Sequence, residues 1–190
     1  MVGIFHLNTV EQAFMKKIFW LYGRSGAGKT TLARRLRDGF DDRGHPVFFL
    51  DGDEMRSGLC SDLAFTPEAR LENHRRTAEV ARLAAEQEFN VVVSTMAPGH
   101  DHRDVVKKVL GERLVWIYVH APLNVCIERD PKGLYARAKA GKLNQLIDFP
   151  FDVPRPGERE NFVDTVAQDI EGCYQSILEL ALDQLKDYAI

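Results

Sequence analysis

The sequence has few cysteines and no long apolar run, and both absences narrow the class of protein. Its 190 residues include three cysteines, Cys60, Cys126 and Cys173, which are far apart and form no C-x-x-C pair. An odd number at this spacing favours neither a disulfide framework nor a zinc site, so we expect reduced, mostly buried thiols. No stretch approaches the roughly 18 consecutive apolar residues of a membrane span, and the N-terminus lacks a basic region followed by an apolar core. We therefore expect a cytoplasmic protein without a membrane partner.

The sequence also lacks a basic tail or a polybasic block. The net charge is −3 and the pI about 6.1, so the chain lacks the excess of basic residues that extended nucleic-acid binding requires. With 45% hydrophobic residues, a chain of this length suits one domain, residues 1–190, with a substantial core. Small molecules are the expected partners.

A glycine-rich stretch at residues 23–30 reads G-x-x-x-x-G-K-T and directly follows the apolar run at 18–22. This order, strand then glycine loop then helix, predicts a P-loop whose backbone N–H groups and helix N-terminus bind phosphate. We expect Lys29 to reach the β- and γ-phosphates of ATP and the Thr30 hydroxyl to bind Mg²⁺. The alternative is a glycine-rich turn with a stray lysine. The predicted nucleotide-binding residues are Gly23, Ser25, Gly26, Ala27, Gly28, Lys29, Thr30 and Thr31.

Strand and helix patterns alternate along the rest of the chain. Strands are predicted at residues 18–22, 46–50, 90–95, 114–119 and 161–164, and the runs at 46–50 and 90–95 are apolar enough to be buried. Helices are predicted from residue 29, from 66 to about 88, at 101–110, at 122–129 and at 166–188, the last with Ile170, Cys173 and Ile177 inward. Alternation predicts a three-layer α/β/α fold around a mainly parallel five-stranded sheet.

A cation-rich segment follows the fourth predicted strand. Arg129, Lys132, Arg137, Lys139 and Lys142 crowd one short stretch, with glycines at 133 and 141 as possible hinges. Such a density of positive charge suits a lid over phosphates, which we place at about residues 129–154. Residues 148–160 read as a loop by their proline, glycine and charge content.

The reaction class follows from motifs that are missing beside the P-loop. The guanine-reading N-K-x-D of GTPases is absent, and the strand at 90–95 ends without a carboxylate. What remains is a small-molecule kinase, which needs a carboxylate near the acceptor hydroxyl. Asp53, in the D-G-D that follows the second strand, is the preferred base, and Asp51 is expected to assist Mg²⁺ through water. The alternative is that D-G-D is only a polar turn.

Other side chains have a functional and a plainer interpretation. Arg56, Arg70, Asn73 and Arg76 suit an anionic acceptor, whereas a solvated helix face is the alternative, for Arg76 in particular. Phe65 is either a core residue, which periodicity alone favours, or a platform for a nucleotide base. The H-x-H of residues 100–102 suggests a metal site only weakly, because no third ligand is evident, and we expect it to be solvent-exposed.

Several stretches together resemble adenylylsulfate (APS) kinase, which phosphorylates the 3′-hydroxyl of APS to make PAPS. They are residues 23–33, 50–53 with Arg56, 70–76 continuing into 79–81, 122–123 with Cys126, and 129–135. The resemblance implies MgATP as donor, Asp53 as base, Phe65 stacked on the acceptor's base, and a homodimer. It also places Arg56, Arg70 and Asn73 on the phosphate-sulfate and Lys132 in the lid. Asp51, Met96, Ala97 and Leu134 complete the acceptor site that it implies.

The departures from that family cluster around the acceptor. The family's Gly-Phe is Ala64-Phe65 here, the aspartate before the Arg70 equivalent is Ala69, and I-S-P is Met96-Ala97-Pro98. The family's F-T-G-I-D loop appears as N-Q-L-I-D at residues 144–148, about two residues shorter and without its stacking aromatic. Loss of one stacking face can admit a different base.

Three hypotheses therefore stand. The first is an APS kinase with variant acceptor contacts, and the second is a paralogue acting on another modified nucleotide, such as cytidine diphosphoramidate. The third is a nucleotide-binding partner without catalytic activity. Intact Lys29, Thr30 and Asp53 favour the two kinases over the inactive partner.

Overall fold

The computed structural model describes residues 15–141 and 151–186, which form a parallel sheet with helices on both faces. The strands are β1 (Ile18–Tyr22), β2 (Val47–Asp51), β3 (Asn90–Thr95), β4 (Leu114–His120) and β5 (Phe162–Asp164). Their order across the sheet is β2-β3-β1-β4-β5, and every neighbouring pair is parallel. The predicted five-stranded α/β architecture is confirmed.

Helices follow most of the strands. They are α1 (Lys29–Asp41), α2 (Gly52–Ser57), α3 (Pro67–Glu86), α4 (His100–Leu110), α5 (Leu123–Arg129), α6 (Leu134–Lys139) and α7 (Ile170–Lys186). Short 3₁₀ turns occupy Gly111–Arg113 and Pro156–Glu158. Helix α3 begins as predicted, since the Thr66 hydroxyl caps it by accepting the Ala69 N–H at 3.2 Å.

The two faces of the central strand contribute to two separate cores. Phe19 and Leu21 of β1 pack with α1 and α7 on one face, whereas Ile18, Trp20 and Tyr22 pack with α3 and α4 on the other. This division follows from the two-residue period of strand side chains. Each face of the sheet is thus covered by helices, and the carboxyl ends of β1, β2 and β3 meet at one edge.

Two burial predictions, one for β2 and one for the last helix, are wrong. Strand β2 lies at the edge of the sheet, so it is not buried throughout, and Phe48 is 39% exposed. Ile170, predicted to face inward, is the first residue of α7 and is exposed, because the helix begins later than residue 166. Ile177 is buried as expected, and so are all three cysteines, including Cys173, which are free thiols.

Among the described residues, none of the helices has the length and apolar character needed to cross a membrane.

Candidate active site

The P-loop has the backbone geometry that its sequence predicts. Gly23 adopts φ of +152°, and a Cβ at this position would collide with the carbonyl oxygen of Val119, so only glycine fits. Helix α1 begins at Lys29, which directs its N-terminus towards the loop. The Lys29 ammonium donates to the carbonyl of Arg24 at 2.6 Å. This hydrogen bond joins the lysine side chain to the backbone of its own loop.

Residues distant in sequence hold the P-loop in place. Arg129 donates to the Gly26 carbonyl at 3.3 Å and to the Thr165 hydroxyl at 2.9 Å. The Thr165 hydroxyl also lies 3.1 Å from the Ala27 carbonyl, to which it donates. We predicted Arg129 as a lid cation, but its contacts bind it to the phosphate loop. Thr165 was not predicted, because nothing in the sequence pattern links it to residues 26–27.

Three side-chain oxygens meet where the carboxyl ends of β2 and β3 approach α1. The Thr30 hydroxyl donates to Asp51 Oδ2 at 3.0 Å and lies 3.2 Å from the Ser94 hydroxyl. Asp51 also caps α2 by accepting the Asp53 N–H at 2.9 Å. Residues 51–53 are thus the end of a strand and the first turn of a helix. Ser94 was not predicted as a site residue.

The Asp53 side chain is largely exposed. Its carboxylate forms an ion pair with the Lys132 ammonium, which the segment between α5 and α6 carries. The lid cation and the predicted base, 79 residues apart in sequence, are therefore neighbours in the fold.

A cleft of about 1340 Å³ connects these features. Its volume exceeds the range of about 300–1,000 Å³ that is usual for a pocket binding one small ligand. The predicted site residues that line it are Ser25, Gly26, Gly28, Lys29, Thr30, Thr31, Asp51, Asp53, Arg56, Phe65, Arg70, Asn73, Met96, Lys132 and Leu134. Lining residues that were not predicted for the site include Ser94, Thr165 and Ile170.

Some predicted residues lie outside the cleft or outside the described residues. Gly23, Ala27 and Ala97 do not line the cleft, and Ala27 and Ala97 are fully buried behind it. The shortened loop at residues 144–148 and Lys142 fall outside the described residues, so the lid is described only on either side of them.

An aromatic ring flanked by two guanidinium groups forms the far wall of the cleft. Phe65 is 61% exposed, with the guanidinium carbons of Arg56 and Arg70 at 4.7 and 5.7 Å from its ring centroid. Of the two interpretations of Phe65, the core position that periodicity alone favours is wrong, because the residue precedes α3 on a loop and its ring lines the cleft. Burial lowers the pKa of both arginines from its usual value. Within the described ranges Arg56 pairs with no carboxylate, and it donates instead to the Ala64 carbonyl at 3.0 Å.

The neighbouring arginines of α3 are neutralised by protein carboxylates. Arg75 and Arg76 both donate to Glu72, and Arg76 also donates to Asp62 at 2.7 Å. Hydrogen bonds from Arg75 and Arg76 lower the pKa of Glu72 to about 2. Arg76 does not line the cleft, so of the basic residues near α3 it is Arg56 and Arg70 that face it.

A pair of buried histidines lies behind this wall. The His74 and His102 rings are edge to face with centroids 4.8 Å apart, and His74 Nδ1 lies 2.9 Å from the Arg70 carbonyl, to which it donates. Burial and the adjacent His102 lower the pKa of His74 to about 3. The expectation of a solvent-exposed H-x-H is wrong for His102, which lies in the first turn of α4 and is buried against α3. No group of three potential metal-binding side chains occurs in the part of the chain that the structure describes.

A buried ion pair fixes the loop after β3. Arg103 is fully buried and donates to Glu158 at 2.9 Å and to the Ala97 and Pro98 carbonyls at 2.8 and 3.1 Å. It thereby joins residues 97–98 to the segment that follows the lid. Single-residue patterns gave no signal for this contact.

Comparison with known proteins connects this cleft to one family. The sequence profile of the adenylylsulphate kinase family matches residues 15–160. The adenylyl-sulfate kinase of Paraburkholderia xenovorans (strain LB400) is 46% identical over 139 residues, which are 72% of this chain and 78% of that protein.

Solved structures give the same relationship. The Mycobacterium tuberculosis APS kinase CysC in complex with AMPPNP and APS superposes with a TM-score of 0.82 at 32% identity, covering 89% of this chain and 98% of that one. The hexameric APS kinase from Thiobacillus denitrificans superposes with a TM-score of 0.67 at 26% identity, covering 93% of this chain. This chain spans 30% of the length of that hexameric protein's chain.

Proposed function

The chain belongs to the adenylylsulphate kinase family, and from that premise we propose that it transfers the γ-phosphoryl group of ATP to the 3′-hydroxyl of adenylyl sulfate. The products are ADP and PAPS. One observation carries the proposal: the P-loop, the exposed carboxylate of Asp53 and the Arg56–Phe65–Arg70 wall all line one cleft. A phosphoryl donor at the P-loop and a nucleotide acceptor at the wall would then approach each other beside Asp53.

The residues around Thr30 fit a magnesium ion. Mg²⁺ prefers oxygen ligands, and the Thr30 hydroxyl, the Asp51 carboxylate and the Ser94 hydroxyl offer such oxygens at one place. We propose that Thr30 holds Mg²⁺ directly and that Asp51 holds it through water. When bound, the ion neutralises charge on the β- and γ-phosphates.

Asp53 and the two lysines perform the steps that this chain contributes. Lys29 exchanges the Arg24 carbonyl for the phosphates, beside the N-terminus of α1. Lys132 leaves Asp53 and turns to the transferring group, which frees the carboxylate to accept the proton of the 3′-hydroxyl. Both lysines then stabilise the negative charge of the phosphoryl group during its transfer.

Arg56, Arg70 and Phe65 are proposed to bind the acceptor. The exposed ring of Phe65 suits stacking on a base, and partly buried guanidinium groups favour an anion because burial weakens their solvation. Asn73 lines the same part of the cleft, and Met96 and Leu134 complete its walls. Ala97 lies behind the wall, and we propose that it acts through its backbone alone.

Two properties of the whole protein are also proposals. We propose that the protein is a homodimer. Size-exclusion chromatography with light scattering measures its mass in solution. The related APS kinase from Thiobacillus denitrificans is hexameric. We place the reaction in the cytoplasm, where thiols such as the three free buried cysteines stay reduced.

The proposal is tested by incubating the purified protein with MgATP and APS and identifying the product by mass spectrometry. The expected product is APS bearing one additional phosphate that a 3′-nucleotidase removes. A product phosphorylated elsewhere, or ADP formed without any phosphorylated APS, would reject the assignment.

A further inference from the structure

We propose that Ser94 is a positioning residue for the catalytic cation, because its hydroxyl orients that of Thr30. The inference rests on the MgATP-dependent function proposed above. It concerns how the chain prepares the cation site, and it adds a residue that the sequence motifs do not mark.

Ser94 lies on the strand between β1, which leads into the P-loop, and β2, which ends at Asp51. Strand β3 lies between β1 and β2, and Ser94 pairs in register with Leu21 on one side and with Asp51 on the other. Its side chain is buried, with 3% of the residue exposed. Gly52, the first residue of α2, lies close to the backbone of β3. A Cβ at this position would lie 3.2 Å from the Ser94 carbonyl oxygen.

The direction of the hydrogen bonds follows from the number of protons. A hydroxyl has one hydrogen, and that of Thr30 is donated to Asp51 Oδ2. The 3.2 Å contact between the two hydroxyls therefore requires Ser94 to donate and Thr30 to accept. The Thr30 oxygen keeps one further lone pair, held in a fixed direction by bonds on both sides. That lone pair is the one available to a cation.

The neighbouring hydroxyl does not compete for this role. Thr95 Oγ1 accepts the indole N–H of Trp20 at 2.8 Å, on the opposite face of β3. P-loop enzymes commonly supply a carboxylate from a strand end near the phosphates. Here β3 supplies a hydroxyl, and the carboxylate comes from Asp51 one strand further away. The two strands thus share the task.

The test measures cation binding apart from turnover. A fluorescent ATP analogue is titrated into the wild-type protein, Ser94→Ala, Ser94→Thr and the surface control Ser176→Ala, first in EDTA and then across Mg²⁺ concentrations. For Ser94→Ala we expect unchanged affinity in EDTA and about a fivefold rise in the Mg²⁺ midpoint, the effect of one lost hydrogen bond. Ser94→Thr retains the hydroxyl and should restore the midpoint. Thermal unfolding checks that each variant is folded.

The outcomes separate this inference from the function beneath it. A wild-type protein whose analogue binding ignores Mg²⁺ rejects the proposed MgATP-dependent function. A Mg²⁺-dependent wild type with an unchanged midpoint in Ser94→Ala rejects the role of Ser94 alone. Equal losses for Ser94→Ala in EDTA and in Mg²⁺ also reject it, since they indicate a general packing role.

Discussion

The protein should lose stability in mild acid because of His74. Its ring is buried against His102, with Arg56 on one side opposing protonation and Asp101 favouring it. The pKa of about 3 in the folded chain lies well below the value of about 6.5 expected after unfolding. Between these values the unfolded chain binds more protons, so stability is complete above about pH 6.5 and falls as the pH falls.

The size of the effect follows from linkage. At pH 5 the unfolded chain gains about 1.4 kcal/mol for each pH unit below 6.5, so His74 alone lowers the free energy of unfolding by about 2 kcal/mol. Urea denaturation at pH 7.5, 6.0 and 5.0 measures this directly. In His74→Leu the decline between pH 7.5 and 5.0 should shrink by about that amount.

An exposed serine provides the control. Ser176 lies on α7, and Ser176→Ala, which removes no titratable group, should keep the wild-type pH dependence of stability. The comparison uses the difference between pH values, so any constant effect of the leucine on packing cancels. Parallel pH profiles for the wild type and His74→Leu would show that the ring is not kept neutral by burial.

Three further predictions concern catalysis and folding. Asp53→Asn should lower kcat by roughly a hundredfold or more without weakening ATP binding. In the control Glu54→Gln, on the same short helix, kcat should stay near the wild-type value. Similar kcat values for the two variants would exclude Asp53 as the base. Arg56→Gln should raise the KM for the acceptor about tenfold and leave that for ATP unchanged, whereas Arg75→Gln, whose partner is a protein carboxylate, should change neither constant. Arg103→Met should lower the free energy of unfolding by about 3 kcal/mol in urea titrations, since Glu158 loses its fully buried guanidinium partner; a loss under 1 kcal/mol would refute this.

The sequence predicts the inner strands better than the outer ones. Strands β1 and β3 begin and end at the predicted residues, because a continuous apolar run between turn residues specifies a strand that is covered on both faces. Strand β2 has an equally apolar sequence but lies at the sheet edge, where Phe48 is exposed. Strand order depends on crossovers, which local hydrophobicity does not encode.

The candidate site also contains residues that the sequence predicts and residues that it does not predict. The positions of the P-loop and of Asp53 along the cleft were predictable because contiguous motifs specify them. Ser94 and Thr165 were not, since their partners lie 64 and 138 residues away. Periodicity alone favours a core position for Phe65 because it takes no account of where a helix begins. Whether an apolar residue precedes Thr66 on a loop or follows it in α3 decides whether its ring faces the cleft or the core.

The most direct test of the account is the rate of ADP release with MgATP and a panel of acceptors: APS, cytidine diphosphoramidate, plain nucleoside monophosphates, and no acceptor. We predict rapid turnover with APS, with the other acceptors near the rate without acceptor. Turnover with the cytidine compound while APS stays inert would contradict the proposed acceptor and indicate the paralogous kinase. No turnover with any acceptor, in a folded protein that binds ATP, would indicate the inactive nucleotide-binding partner.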